Sequence, residues 1–306
     1  MRILIIIVLM CASIIASASN LGFKLIFEGE DPVGLEQYFH TILPESNIEF
    51  SIVTENTGSI IVSCTKGKIS LISEGTWKYE SPKEIGNYEL RIEDQTNNKT
   101  MIIAMIVLVP RSEMKGEYLN AYRIGNYPEE NFKGKPNYRK PAGFIEITKE
   151  NKDLFISPHF QLKQFLCKQE SGWPKYILLH PKLILKLEYI ISALNEKGTN
   201  VKTLFIMSGY RTPYYNKAIG NVKFSRHIFG DAADIYVDDN HDSVFDDLNN
   251  DGKGTMDDAL IIHEIINNYD ANPENEHFVG GMGKYNKNSA HTYFIHIDTR
   301  GYKARW

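Results

Sequence analysis

The run Ser225-Arg226-His227-Ile228-Phe229-Gly230-Asp231-Ala232-Ala233-Asp234 offers an imidazole and then a carboxylate. About sixty residues later, Tyr293-Phe294-Ile295-His296-Ile297-Asp298 offers a second imidazole. Two histidines and one acid, with a coordination position left for water, are what a catalytic zinc requires. Gly230 and Ala232 keep the chain between His227 and Asp234 small, so that it can fold back and present both side chains to one ion. The second run reads as a strand. Side chains alternate faces along a strand, which places Phe294, His296 and Asp298 on one side and Ile295 and Ile297 on the other. A histidine held between buried isoleucines is rigid, which suits a ligand, and Asp298 is placed to orient it. The joint pattern predicts a metal-dependent hydrolase with His227, Asp234 and His296 on Zn2+.

A second metal is expected between those runs. Asp247, Asn249, Asp251, Thr255 and Asp258 fall at positions 1, 3, 5, 9 and 12 of a calcium loop, with Gly252 at the turn and Lys253 offering its backbone carbonyl. An Asp in the last position resembles exported calcium loops of the dockerin type. Bound Ca2+ would lock the insertion between Asp234 and His296 and so the walls of the cleft.

The elements that must position these residues divide the chain. Residues 20–110 read as β: Phe23–Phe27, Ile48–Val53, Ser59–Cys64, Lys68–Ile72, Tyr88–Ile92 and Met101–Val109 are rich in β-branched or aromatic residues and bounded by Gly, Asn, Pro or Asp. Short strands at that spacing predict an immunoglobulin-like sandwich for residues 19–110. Residues 111–152, rich in Tyr, Asn, Lys, Gly and Pro, read as a partly ordered connector. From 153 to 306 the pattern is α+β with a small antiparallel sheet. Helices are expected over Phe160–Lys168, Pro181–Lys197 and Asp257–Asn268, and strands over Leu204–Met207, Asp234–Val237 and Tyr293–Asp298. Leu183, Leu185, Leu187, Ile190, Ile191 and Leu194 mark the apolar positions of the second helix, and Gly198 stops it.

The amino terminus predicts export. Arg2, the apolar run Ile3–Ile15 and Ala16-Ser17-Ala18 match a cleaved signal peptide over residues 1–18, too short for a membrane span of about 20 residues. Met10 before Cys11 argues against a lipoprotein signal. Cleavage removes Arg2 and no other charge, so the formal charge moves from −4 by one unit to −5. A mildly acidic chain is not suited to nucleic acid or to an anionic membrane surface. Cys64 and Cys167 alone remain, too few for a disulfide framework or a thiolate zinc site, and both read as buried thiols. No later run is long enough to form a stable membrane span. A periplasmic or extracellular location follows.

Ser208-Gly209-Tyr210-Arg211, the Ser225–Asp234 run and Phe294–Asp298 together resemble the zinc D-alanyl-D-alanine peptidase family, which includes wall-cleaving carboxypeptidases and endopeptidases, the vancomycin-resistance dipeptidase and the hedgehog-type metal-binding domain. The resemblance covers residues 155–306. It implies the same three zinc ligands and peptidoglycan stem peptides or cross-links as substrate. It implies that Arg211 binds the substrate carboxylate or the oxyanion, a task suited to a fixed guanidinium. Ser208 and Tyr210 beside it, like Asp298, would support the ligands or touch substrate. Members often place a Glu three residues before the last ligand or a His two before it; here those positions are Tyr293 and Phe294. His291, five residues before His296, matches an offset that some members use and is the expected base or transition-state donor. These departures motivate an alternative, a catalytically inactive metal-stabilised cell-wall binding module. The residues do not separate carboxypeptidase from endopeptidase.

Overall fold

The structure, a computed structural model, describes residues 21–54 and 59–306. The expected signal peptide, residues 1–18, lies outside the described residues. What is described is mostly β, with few helices and several small sheets. Among the described residues, eight strands come first: β1 (Phe23–Phe27), β2 (Gln37–Ile42), β3 (Asn47–Thr54), β4 (Ile60–Cys64), β5 (Lys68–Ser73), β6 (Thr76–Glu80), β7 (Gly86–Asp94) and β8 (Lys99–Val107). They form two four-stranded sheets, ordered β1-β3-β6-β5 and β2-β8-β7-β4. Phe23, Leu25, Phe27, Phe50, Ile52, Trp77 and Tyr79 of the first share one core with Leu90, Ile92, Met101, Ile103 and Met105 of the second. Alternation along β8 is broken because both of its faces are covered. Met101, Ile103 and Met105 face that core, while Ala104 and Ile106 join the core of the C-terminal half.

Residues 111–152 are built into the fold. β9 (Val109–Pro110) precedes a hairpin of β10 (Tyr118–Leu119) and β11 (Tyr122–Arg123), and β12 (Gly143–Ile147) pairs on one edge with β9 and on the other with the later β15 (Lys175–Ile177). Between them, β13 (Phe155–Ser157) and β14 (Phe160–Gln161) form a second short hairpin. The helix expected over Phe160–Lys168 is absent. Phe160 pairs in β14, and Gln161 and Gln164 close a reciprocal cap around a single 3-10 turn, Leu162–Phe165. The chain leaves that turn extended at Leu166, so the buried positions Phe160, Leu162, Phe165 and Cys167 come from a strand, a turn and an exit.

α1 (Pro181–Glu196) matches its pattern. Pro181 opens it, the His180 side chain accepts from Lys182 N, and Leu183, Leu187, Ile190, Ile191 and Leu194 enter the core. Next come β16 (Phe205–Ser208), α2 (Pro213–Ala218), β17 (Ala232–Tyr236), α3 (Met256–Ala271), β18 (Gly281–Tyr285), β19 (Phe294–Asp298) and β20 (Ala304–Arg305). The five strands form one sheet in the order β16-β17-β19-β18-β20, antiparallel except for the β18/β20 pair. A buried charge cluster fastens the helices to this sheet. Lys186 of α1 reaches Asp270 of α3 at 2.8 Å and the Phe278 carbonyl at 3.1 Å, and Asp270 also takes Arg305 of β20 at 2.7 Å. Cys64 and Cys167 are free thiols, one half-buried and one buried. No helix among the described residues is long and apolar enough to cross a membrane.

Candidate metal centre

The site is a row across the sheet. Ser208 pairs with Asp234, Asp234 with His296, and His296 with Gly283, so four neighbouring strands each contribute one position. Cross-strand partners share a face, which brings Asp234 and His296 together although they are far apart in sequence. His227 is delivered from outside the sheet by the 3-10 turn Arg226–Phe229. That turn ends at Gly230, whose φ of +76° and whose approach to Leu178 both require glycine: a Cβ there would lie 2.6 Å from the Leu178 backbone.

Three donor atoms converge. His227 Nε2 lies 3.2 Å from His296 Nδ1 and 3.3 Å from Asp234 Oδ1, and His296 Nδ1 lies 2.8 Å from the same oxygen. Ligand atoms held tetrahedrally by zinc at 2.0–2.1 Å stand roughly 3.3–3.4 Å apart, so the two His227 separations fit that ion and the His296–Asp234 pair lies closer than it requires. Among the described residues this is the one group of three His, Cys, Asp or Glu donors gathered within 4.8 Å of one another.

The neighbours fix each donor. His227 Nδ1 is 2.7 Å from the Gly209 carbonyl, so that nitrogen carries the proton and Nε2 presents its lone pair to the ion. Burial lowers the His227 pKa against the pull of Asp234. On His296 the roles of the nitrogens reverse. Nε2 donates to Asp298 Oδ2 at 3.2 Å, leaving Nδ1 for the metal. Burial opposes charge on this ring too, but Asp234 and Asp298 outweigh it and raise its pKa to about 9. Asp234 is held well below the usual carboxylate range because His227 and His296 overcome the effect of burial. Two buried acids thus stabilise positive charge at the point where the donors meet.

Arg211 stands on one side of the row, with Nε on Ser208 Oγ at 2.8 Å and Nη2 on Asp234 Oδ2 at 2.6 Å. Arg300 stands on the other side, with Nε 2.9 Å from both Asp298 oxygens. Asp298 also accepts from the Gly281 backbone at 2.7 Å. A cavity of about 620 Å³ opens over the three donors, with Arg211 among its lining residues.

Tyr210 is buried away from the cavity, its hydroxyl 2.9 Å from that of Tyr127. His291 is not brought to the site. Its Nδ1 lies 2.8 Å from the Thr292 carbonyl, its Nε2 2.8 Å from Asn288 Nδ2, and its ring meets Phe294 edge-on. Phe294, not His291, lines the cavity. Calcium is not supported. Asp247, Asn249 and Asp251 spend side-chain oxygens on backbone N–H groups of the loop itself, including Asp251, Gly252 and Lys253. Asp258 accepts from Leu248, Asn249 and Thr255 backbone nitrogens and, with Thr255, caps α3. The same residue types build turns and helix caps, which is why the spacing reads as a metal loop.

Four features of the site carry no sequence signal: Arg300 behind Asp298, Trp306 over His296, and Phe132 and Tyr138 from residues 111–152, which line the far wall. Arg226 ties that wall down, paired with Asp231 through Nε at 2.9 Å and lying against the rings of both Tyr138 and Phe229.

A family model described as Peptidase M15 matches residues 158–257. The matched segment holds His227, Asp234 and Arg211, and His296 joins them through the sheet. The match supports a zinc peptidase of the M15 class, that is, a metal-dependent hydrolase with a peptide as substrate. No curated protein matches the chain.

Proposed function

We propose that this chain is an exported zinc peptidase that hydrolyses peptide bonds in peptidoglycan stem peptides or cross-links, with residues 19–110 as an immunoglobulin-like module beside the catalytic part. The observation that carries the reading is the convergence of His227 Nε2, Asp234 Oδ1 and His296 Nδ1 at 2.8–3.3 Å beneath an open cavity. Zinc held there would supply a Lewis acid for the scissile carbonyl and lower the pKa of a bound water toward about 7. The chain does the rest. Gly209 and Asp298 fix the two imidazole tautomers, and Ser208 fixes Arg211 beside the ligands, where its charge can meet negative charge developing on the carbonyl oxygen. The preference for wall peptides over other peptides rests on the sequence resemblance of the Ser208–Arg211, Ser225–Asp234 and Phe294–Asp298 runs.

The test is incubation of purified protein with muropeptides, with and without chelator, and product analysis by mass. Shortened or uncrosslinked products that vanish with chelator and return with zinc are expected. Cleavage that ignores the chelator would refute zinc catalysis. Binding of wall fragments without any turnover would replace the peptidase by a metal-stabilised binding module.

A further inference from the structure

We infer that Trp306 is a substrate-contacting, specificity-determining residue: its indole forms a fixed flat wall beside the metal ligands, against which an aliphatic residue flanking the scissile bond packs. This rests on the peptidase reading and adds to it the chemical preference of one subsite. The indole lies beside His296, with ring centroids 5.2 Å apart, and lines the same cavity. It is 49% exposed, yet its backbone, its Nε1 and the neighbouring Arg300 hold it in place. Its backbone N–H donates to the Met282 carbonyl at 3.2 Å, and its carbonyl accepts from Lys284 at 3.1 Å, extending the β18/β20 pairing by one residue. Its Nε1 donates to the Tyr285 hydroxyl at 2.7 Å, and Tyr285 is itself stacked on Phe294 at 4.4 Å and 4°. The Arg300 guanidinium, fixed by Asp298, lies 5.4 Å from the ring centroid.

Gly283 shows that the row is shaped around this ring. It occupies the position next to His296, and a Cβ there would come within 2.3 Å of Trp306 Nε1. The indole therefore fills the place a side chain at 283 would take and continues the ligand row with an apolar face. An exposed aromatic whose polar atom is already satisfied gains by covering that face with C–H groups. Its fixed conformation means that little side-chain freedom is lost when it does so.

The experiment uses zinc-loaded protein and a pentapeptide ending in D-Ala-D-Ala, with analogues carrying Gly in place of either of the last two residues. Wild type is expected to favour Ala over Gly by about tenfold in kcat/KM at one of the two positions, the low end for one methyl on a hydrophobic surface. Trp306→Ala should retain zinc and bring that ratio within twofold. Trp306→Phe should keep most of it. An uncleaved peptide should shift the fluorescence of wild type to shorter wavelength, as water leaves the indole, and shift that of Trp306→Phe less. If Trp306→Ala loses zinc, Trp306→Leu is read instead, with an intermediate ratio expected and an unchanged one counting against the inference. An Ala/Gly ratio in Trp306→Ala equal to wild type, or a wild type indifferent at both positions, overturns the role of Trp306 and leaves the peptidase standing. A zinc-loaded wild type that cleaves none of the peptides removes the peptidase reading itself.

Discussion

Replacing Asp298 by Asn isolates the tautomer argument at His296. Asp298 is fully buried and accepts from five N–H groups at its two oxygens. Oδ1 takes the backbone N–H groups of Gly281 at 2.7 Å and Arg300 at 3.1 Å, so an asparagine keeps its carbonyl there. Its amide NH2 then replaces Oδ2 and faces the His296 Nε2–H, donor against donor. The imidazole escapes the conflict by moving its proton to Nδ1, the nitrogen that must hold the metal. The remedy for one hydrogen bond therefore disables a ligand. Loss of a carboxylate behind a ligating histidine usually costs 10–100-fold in metal affinity, and the forced change of tautomer places Asp298→Asn near the upper end, about 100-fold or roughly 2.7 kcal/mol. Zinc affinity is read by competition with a chelating dye at neutral pH, alongside a thermal melt to confirm folding. A folded variant whose zinc affinity stays within twofold of wild type would refute both the tautomer assignment and the role of Asp298.

Three further outcomes follow from other parts of the fold. Gly230→Ala meets a Cβ contact of 2.6 Å with the Leu178 backbone at a positive φ, so it should destabilise the protein by about 1–3 kcal/mol in a urea titration and weaken zinc binding by displacing His227. Asp270→Ala strands Lys186, which is fully buried, and Arg305 without their shared carboxylate; a loss of about 3–5 kcal/mol is expected by the same measurement, and a change under 1 kcal/mol would show the cluster to be dispensable. His159, 2.6 Å from buried Glu188, has its pKa raised above 6.5 by that hydrogen bond. A folded pKa raised above the unfolded one gives stability that is complete below about pH 6.5 and lost as pH rises through the folded value. The melting temperature of wild type should therefore fall relative to that of His159→Gln as pH is raised through that window; parallel curves would show that the pair does not couple to folding.

The three zinc donors were legible because each lies in a short run whose local geometry is dictated by its own residues. Gly230 permits the turn that carries His227, and Ile295 and Ile297 bury the strand that carries His296. Sequence could not place what meets them through tertiary packing. Arg300, Trp306 and Tyr138 belong to segments with no helix or strand period, and only the sheet order and the fold of residues 111–152 bring them to the cavity. His291 failed in the opposite way. Its offset from His296 fits the resemblance, but that offset places it before β19 begins, where Asn288 and Thr292 occupy both ring nitrogens. Six of the first eight strands were readable; β6 was not read as a strand, and neither was β2, whose Gln37-Tyr38-Phe39-His40 mixes polar with aromatic residues because it packs against both cores.

The charges around the donors form a ladder with a consequence for the chemistry. Across the row stand Arg211, Asp234, His296, Asp298 and Arg300, each within hydrogen-bond reach of the next. Two guanidinium and two carboxylate charges cancel, and the two imidazoles add none when they act as ligands. The chain therefore contributes no net charge to a divalent cation held there. Each acid is also backed by an arginine, which draws electron density away from the centre while fixing the carboxylate in place. A purely structural metal site gains by neutralising its ion and closing every position around it. This row does neither, since the surrounding charges balance and the cavity leaves a path to the donors. That combination is the electrostatic setting in which a bound cation acts most strongly on a carbonyl oxygen entering from the cavity.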